Sequence, residues 1–396
     1  MGGEILLSML SGIGAFFIHP LLYIGLVIIG LTGWRRMKRE RQHFYTRVYG
    51  ARADFIIPFF PALLAGGILS VMTILLGITV TLSLLGVFSL SYLLLALTTK
   101  VRLLSPAYAG GLTLLLLLLA PYFQTGVSLI DDTLASAATV PLIHVAVLTI
   151  LLIMAEGDLI QRYGATYTSP KLMVSKRGKW IGVHEAKRVW ILPVVLFLPE
   201  GAIPAFEFWP VFSMGEGTYQ PLLVPFLIGF QQQIQSSLPK APIKLMGRRV
   251  IGFAFILAVL AAAAFYVPVL FLVIACAAIL GRELLWVLAK LRDEAAPAVF
   301  AQRSQGCMIL GVLPDSPANK MGLKVGEVIL KVNGQPVNNE VGFYEALQIN
   351  SAFCKIEVVD EHGEIRFVQG ALYDGEHHQL GVLLVKEEYE LQDSVV

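Results

Sequence analysis

GVLPDSPANKMGLKVGEVILKVNGQPV, Gly311–Val337, is the stretch from which the chain is best read. Pro314-Asp315-Ser316-Pro317 is turn chemistry, and it caps a short helix over Ala318–Met321. Gly322 ends that helix, as a glycine just past a helix C-terminus commonly does. Glu327–Val332 has the apolar, β-branched character of a strand, and Asn333-Gly334 after it is a strong hairpin signal. Outward from this core the same grammar continues. Cys307–Leu313 is a strand before it. Asn338 and Asn339 supply N-caps for a helix to about Ile349. Lys355–Val359 and Ile365–Gln369 are strands joined by Asp360–Glu364, with Gly363 in the turn, and Leu380–Val385 is a last strand. Residues 305–388 therefore read as one small α+β module, with 389–396 as a tail.

Before that module the composition changes. Across the 396 residues, 56% are hydrophobic and 15% charged, with a mean hydropathy of +0.71. Soluble domains average about 25% charged residues. The apolar excess sits in blocks of about 20 residues, the length a helix needs to cross about 30 Å of hydrocarbon. Residues 1–290 thus form a transmembrane domain, and 291–304 a linker. A first span covers Phe16–Leu31 after a short apolar stretch from Ile5. Phe55–Thr99 fits two spans with a tight turn near Ile78–Thr81; Leu104–Phe123 and Val140–Ala155 are one each. Val189–Gln235 carries Pro193, Pro199, Pro204, Pro210, Pro221 and Pro225, and is expected as two irregular spans around a polar patch at Gly215–Gln220. No basic residue precedes the first apolar block and no Ala-x-Ala-like site follows it, so the N-terminus is expected to be retained rather than cleaved.

Lys and Arg set the orientation, because cytoplasmic loops retain them. They cluster at Arg35–Arg52, Lys100–Arg102, Arg162–Arg188, Lys240–Arg249 and Arg282–Arg303, whereas the other connections hold Asp131, Asp132 and Glu216 instead. A single long span over Val250–Leu280 would put Arg282, Lys290 and Arg292 outside. A hairpin turning at Tyr266–Pro268 returns them to the basic side, with Arg282 snorkelling at the inner boundary. The expected fold is a polytopic α-helical domain of about eight or nine spans with the C-terminal module in the cytoplasm. The net charge of +2 suggests no nucleic-acid partner. Three sparse cysteines, Cys276, Cys307 and Cys354, form neither a disulfide framework nor a metal spacing, and no cofactor is expected.

The runs Gly311–Ala318, Gly322–Ile329 and Val332–Val337 closely resemble bacterial PDZ domains in residue type and spacing. That resemblance implies a small, partly open β-barrel with two helices that binds an extended peptide as an added strand and captures a C-terminal carboxylate on backbone N–H groups. The Leu-Gly-Ile-like tripeptide of the carboxylate loop is best matched by Leu380-Gly381-Val382, a permuted strand order. The implied groove lies between Val382–Val385, with Leu383 and Leu384, and the helix carrying Phe343, Ala346 and Leu347; plain core is the competing role for each of these residues. The whole chain also resembles the division-site topological determinants of rod-shaped Gram-positive bacteria. The opening Gly12–Tyr23, followed by Arg35, Arg36, Lys38, Arg39 and Arg41, strengthens the likeness. It implies a membrane scaffold of the septum-site selection system, linking a DivIVA-like polar scaffold to MinD-like and other divisome proteins. It also implies enrichment at septa and poles.

A zinc intramembrane protease needs His-Glu-x-x-His on one helix face, but His184-Glu185 is followed by Arg188 where the second histidine belongs. Leu372-Tyr373-Asp374-Gly375 and His377-His378 are too faint to carry a metal site, and there is no nucleophile elbow or phosphate loop. No enzymatic role is expected. Glu200 and Glu207 admit two readings, lining a broken transporter helix or lying at the outer interface, with the interface preferred. Glu156 and Asp158, beside Arg162, are expected at an interface, and Gln231–Gln235 at the inner end of a span. The Arg35–Arg41 cluster serves as a topology signal and can bind anionic lipid. An adaptor of a membrane protease or signalling complex is the alternative function.

Overall fold

The computed structural model describes residues 2–372 and 380–385, apart from positions 123, 125, 177, 207, 211–216 and 351. The N-terminal region opens with α1 (Gly2–Ile18) and α2 (Pro20–Phe44). The expected first span is broken at His19-Pro20: Pro20 has no N–H to continue the ladder, His19 is extended, and its Nδ1 accepts the Leu21 N–H instead. Next come α3 (Ala53–Leu76), α4 (Leu82–Leu97), α5 (Pro106–Leu119), α6 (Ser128–Ala137) and α7 (Leu142–Tyr163). Gly77, with φ of +63°, ends α3, so the turn falls where the sequence placed it.

The stretch read as two irregular spans is a β-hairpin. Strands β1 (Ser169–Val174), β2 (Trp180–Pro204) and β3 (Thr218–Ile234) form an antiparallel sheet in that order. β2 and β3 pair continuously from His184–Ile234 to Pro199–Tyr219. The prolines explain the outcome. Each would break a helical ladder, whereas on a strand with one free edge a missing N–H is tolerated. Both faces of the hairpin are covered, with Leu192, Val194, Leu196, Phe226, Leu227 and Ile228 all buried. The free edge of β2 is satisfied by α3 and the turn after it. Thr73 Oγ1 donates to the Val195 carbonyl at 2.6 Å, the Val195 N–H donates to Ser70 Oγ at 3.0 Å, and the Val80 N–H donates to the Phe197 carbonyl at 2.8 Å. In hydrocarbon an unsatisfied backbone group costs several kcal/mol, so a two-stranded sheet there needs such a cover.

Helices α8 (Lys240–Ala264) and α9 (Leu270–Ala295) follow, separated by the turn around Tyr266–Pro268. Among the described residues, five helical segments are long and apolar enough to cross a membrane: α1–α2 taken together, α3, α7, α8 and α9; α4 and α5 are apolar but shorter. Glu156 departs from its expected interfacial place. It lies on α7 fully buried, with Arg282 of α9 donating to it at 2.8 and 3.0 Å and Ser105 Oγ at 2.5 Å. Arg282, expected to snorkel, is instead 2% exposed. Asp158 and Arg162 do form an exposed i,i+4 pair.

The C-terminal module contains β4 (Cys307–Val312), α10 (Pro317–Lys320), β5 (Val328–Val332), β6 (Gln335–Pro336), α11 (Glu340–Gln348), β7 (Phe353–Val359), β8 (Ile365–Ala371) and β9 (Val382–Leu384). The sheet order is β8-β7-β5-β4-β9, with β6 paired to β5. Ser316 caps α10, Asn339 caps α11, and Asn333-Gly334 turns with both φ positive, at 50° and 84°. The expected linker over 291–304 is not a free tether. Residues 291–295 complete α9, the Gly182 N–H donates to the Phe300 carbonyl at 2.7 Å, and the Val299 N–H donates to the Gln235 carbonyl at 2.9 Å. Phe300 then joins Phe44, Val48, Leu172, Met308, Leu310 and Leu383 in one buried cluster that docks the module onto the membrane-side sheet. The tail 389–396 lies outside the described residues.

Candidate peptide-binding site

β9 is the last strand of its sheet. β4 pairs with one edge, through Ile309–Leu384, Gly311–Leu383 and Val312–Val382, and the other edge has no strand partner among the described residues. Strand alternation divides its side chains. Val382 and Leu384 point into the module's core with Leu380, Phe343, Ala346 and Leu347, while Leu383 points into the cluster shared with Leu172 and Phe44. Of the residues expected in the groove, Leu380, Val382, Leu384, Phe343, Ala346 and Leu347 share one cluster, and Leu383 faces the other. All eight are buried, so their side chains fill the module's core or its docking cluster, and what β9 offers a ligand is its backbone edge. Addition of an extended peptide to such an edge needs main-chain hydrogen bonds first and side-chain pockets second.

The loop entering β9 is held from behind. The Ala318 N–H donates to the Leu380 carbonyl at 3.0 Å and the Leu313 N–H to the Gly381 carbonyl at 2.8 Å. Gly381 has φ of +86°, and a Cβ there would overlap Ser316. These bonds turn the carbonyls of 380–381 toward α10. Residues 373–379 just before them, including Tyr373–Gly375 and His377-His378, lie outside the described residues. Beneath the sheet, burial pushes the Cys354 thiol up to about 12, and burial with the nearby Glu340 charge raises the Tyr344 phenol.

The basic cluster is split by helix geometry. Arg35, Lys38 and Arg41 are exposed, whereas Arg36 and Arg39 turn inward. Arg36 holds Glu40 at 2.9 Å and Asp54 at 2.9 Å, and Arg39 pairs with Glu185. Arg36 and Arg39 are thus engaged in internal pairs rather than presented on the helix surface, which corrects the reading of all five as one lipid-facing set. His184, Glu185 and Arg188 lie on strand β2, which has no i,i+4 helical spacing to offer a metal. Gln231–Gln235 end β3 rather than a helix, and Gln231 Nε2 donates to Glu185 at 3.0 Å. Glu200 is exposed at the register shift of β2 between Pro199 and Ile203, not in a broken helix; Glu207 and Glu216 lie outside the described residues.

A membrane-type helical region joined to a module with this strand order and turn chemistry defines a membrane-associated PDZ protein, and residues 308–359 match the PDZ domain family model. The chain is 39% identical over 385 residues to the cell division topological determinant MinJ of Bacillus subtilis (strain 168), covering 97% of this chain and 96% of that protein. It is 24% identical over 387 residues to the probable cell division topological determinant MinJ of Lacticaseibacillus paracasei, covering 94% and 98%. A 45-residue stretch is 51% identical to the probable periplasmic serine endoprotease DegP-like of Marinomonas sp. (strain MWYL1), but it covers only 11% of this chain and 10% of that one. The chain belongs to the MinJ family of cell division topological determinants.

Proposed function

We propose that the protein is a membrane adaptor of division-site selection, without enzymatic activity. Its PDZ domain and basic loops would link a DivIVA-like polar scaffold to MinD-like and other divisome proteins. The observation that carries this reading is the end-to-end similarity to the MinJ of Bacillus subtilis, supported by the open edge of β9. The PDZ domain faces the cytoplasm. All basic clusters fall on that side, and the β2–β3 hairpin leaves and returns as two helices would. The deciding experiment is a fluorescent fusion in rod-shaped cells. Enrichment at septa and poles, lost when the PDZ domain is deleted, supports the reading; diffuse membrane fluorescence overturns it. An adaptor of a membrane protease would instead follow that protease's distribution, because the edge of β9 serves any extended peptide.

A further inference from the structure

The inward-turned arginines border a cleft whose charges do not balance. It has a volume of about 30 Å³ and lies between the end of α2, the start of α3 and β2, lined among others by Arg35, Arg39, Asp54, Lys187 and Arg188. Five cations meet here, Arg35, Arg36, Arg39, Lys187 and Arg188, against three carboxylates, Glu40, Asp54 and Glu185. The carboxylates are taken by Arg36, Arg39 and Arg188. The side chains of Arg35 and Lys187 make no hydrogen bond or close ion pair among the described residues; Lys187 feels the charge of Glu185, which Arg39 already holds. The buried Nε–H groups of Arg39 and Arg188 also lack an acceptor, although Arg188 is only 7% exposed. An excess of two cations over carboxylates, with two orphaned buried donors beside them, favours an anion in the cleft.

The position of the cleft narrows the anion. The surface of α2 changes from apolar to charged at Trp34-Arg35, and Asp54 stands in the first turn of α3. Trp34 is 56% exposed beside this boundary, as an interfacial anchor would be. The cleft therefore lies at headgroup depth. Its volume admits one or two oxygen-sized atoms, so the unesterified oxygens of a phosphate fit while the rest of the group stays at the mouth.

We propose that this cleft binds a phosphate oxyanion, with Arg35 and Lys187 supplying the charge and the Nε–H groups of Arg39 and Arg188 the hydrogen bonds. The source is either the phosphodiester of an anionic lipid or free phosphate. The inference is independent of what the PDZ domain binds.

The test uses the full-length protein in phosphatidylcholine nanodiscs, with and without phosphatidylglycerol, and native mass spectrometry to count retained lipid. Wild type should retain phosphatidylglycerol selectively. R35Q/K187Q should weaken that retention about tenfold or more. The charge-conserving R35K/K187R should keep it, which separates lost binding from lost folding. K38Q/R41Q removes the same charge from the exposed face of the same helix and should weaken retention several-fold less than R35Q/K187Q does. Competition by added inorganic phosphate identifies a site open to free phosphate; retention without competition identifies the lipid as the source. Equal losses in the two neutralising doubles, or no preference for phosphatidylglycerol together with no phosphate effect, overturn the proposal.

Discussion

The buried pair between Glu156 and Arg282 yields the sharpest quantitative expectation. Its two side chains are 0% and 2% exposed, and the Ser105 hydroxyl completes the carboxylate's partners. Glu156→Met removes the carboxylate that bonds Arg282 and leaves its buried guanidinium without a directly bonded counter-charge. Arg282→Met leaves the carboxylate stranded instead. Removing one member of such a pair costs about 3–5 kcal/mol, whereas replacing both by apolar groups of similar volume is often nearly neutral. The double variant E156M/R282M should therefore lie within about 2 kcal/mol of wild type, and the cycle with its two singles should show a coupling of about 4 kcal/mol or more. The assay is reversible unfolding in mixed micelles of rising SDS fraction, followed by tryptophan fluorescence. If either single variant costs under about 1 kcal/mol, or the double variant equals the sum of the singles, the pair is not the charge-compensated tie between α7 and α9 inferred here.

Three further outcomes are expected. Phe300→Ala should cost about 3–5 kcal/mol of docking and core packing and release the PDZ domain from the membrane-side sheet, read as faster proteolysis between residues 295 and 306. Gly381→Ala places a Cβ at positive φ against Ser316 and should lower the PDZ domain's stability by about 1–3 kcal/mol, measured by thermal unfolding of the full chain. Cys354 should resist thiol reagents at pH 8 in the folded protein. Its thiol ionises only at about 12 against 9.0 when free, so the unfolded chain releases its proton first. Stability should then fall as pH rises from 9 toward 12, and Cys354→Ala should remove that part of the slope.

The PDZ domain was legible residue by residue because its signals are local. Asn333-Gly334 needs only its own φ angles to make a turn, and Ser316 and Asn339 cap helices three residues away. Sequence left the apolar residues of the last strand and the second helix open between groove and core, and the structure buries them. A two-residue alternation shows that Leu383 opposes Val382 and Leu384, but not that Leu172 and Phe44 wait on its far side. The hairpin was missed for a different reason. A strand buried on both faces reads as one continuous apolar run, which hydropathy cannot distinguish from a membrane helix. Only the prolines argued against a helix, and they argued equally for an irregular one.

Sequence by itself therefore determined the division into a membrane-type region and a small α+β module, and the turns at Gly77 and Pro268, since each follows from apolar length or short-range backbone preference. Tertiary structure alone decided that Val189–Gln235 is a sheet sheltered by α3, that Glu156 meets Arg282, and that Arg36 and Arg39 turn inward while Arg35 and Lys187 are left without a close ion pair among the described residues. Those outcomes depend on partners more than a hundred residues away, or on which face of α2 meets β2, and a charge reads the same in a sequence whether solvent, lipid or a carboxylate neutralises it.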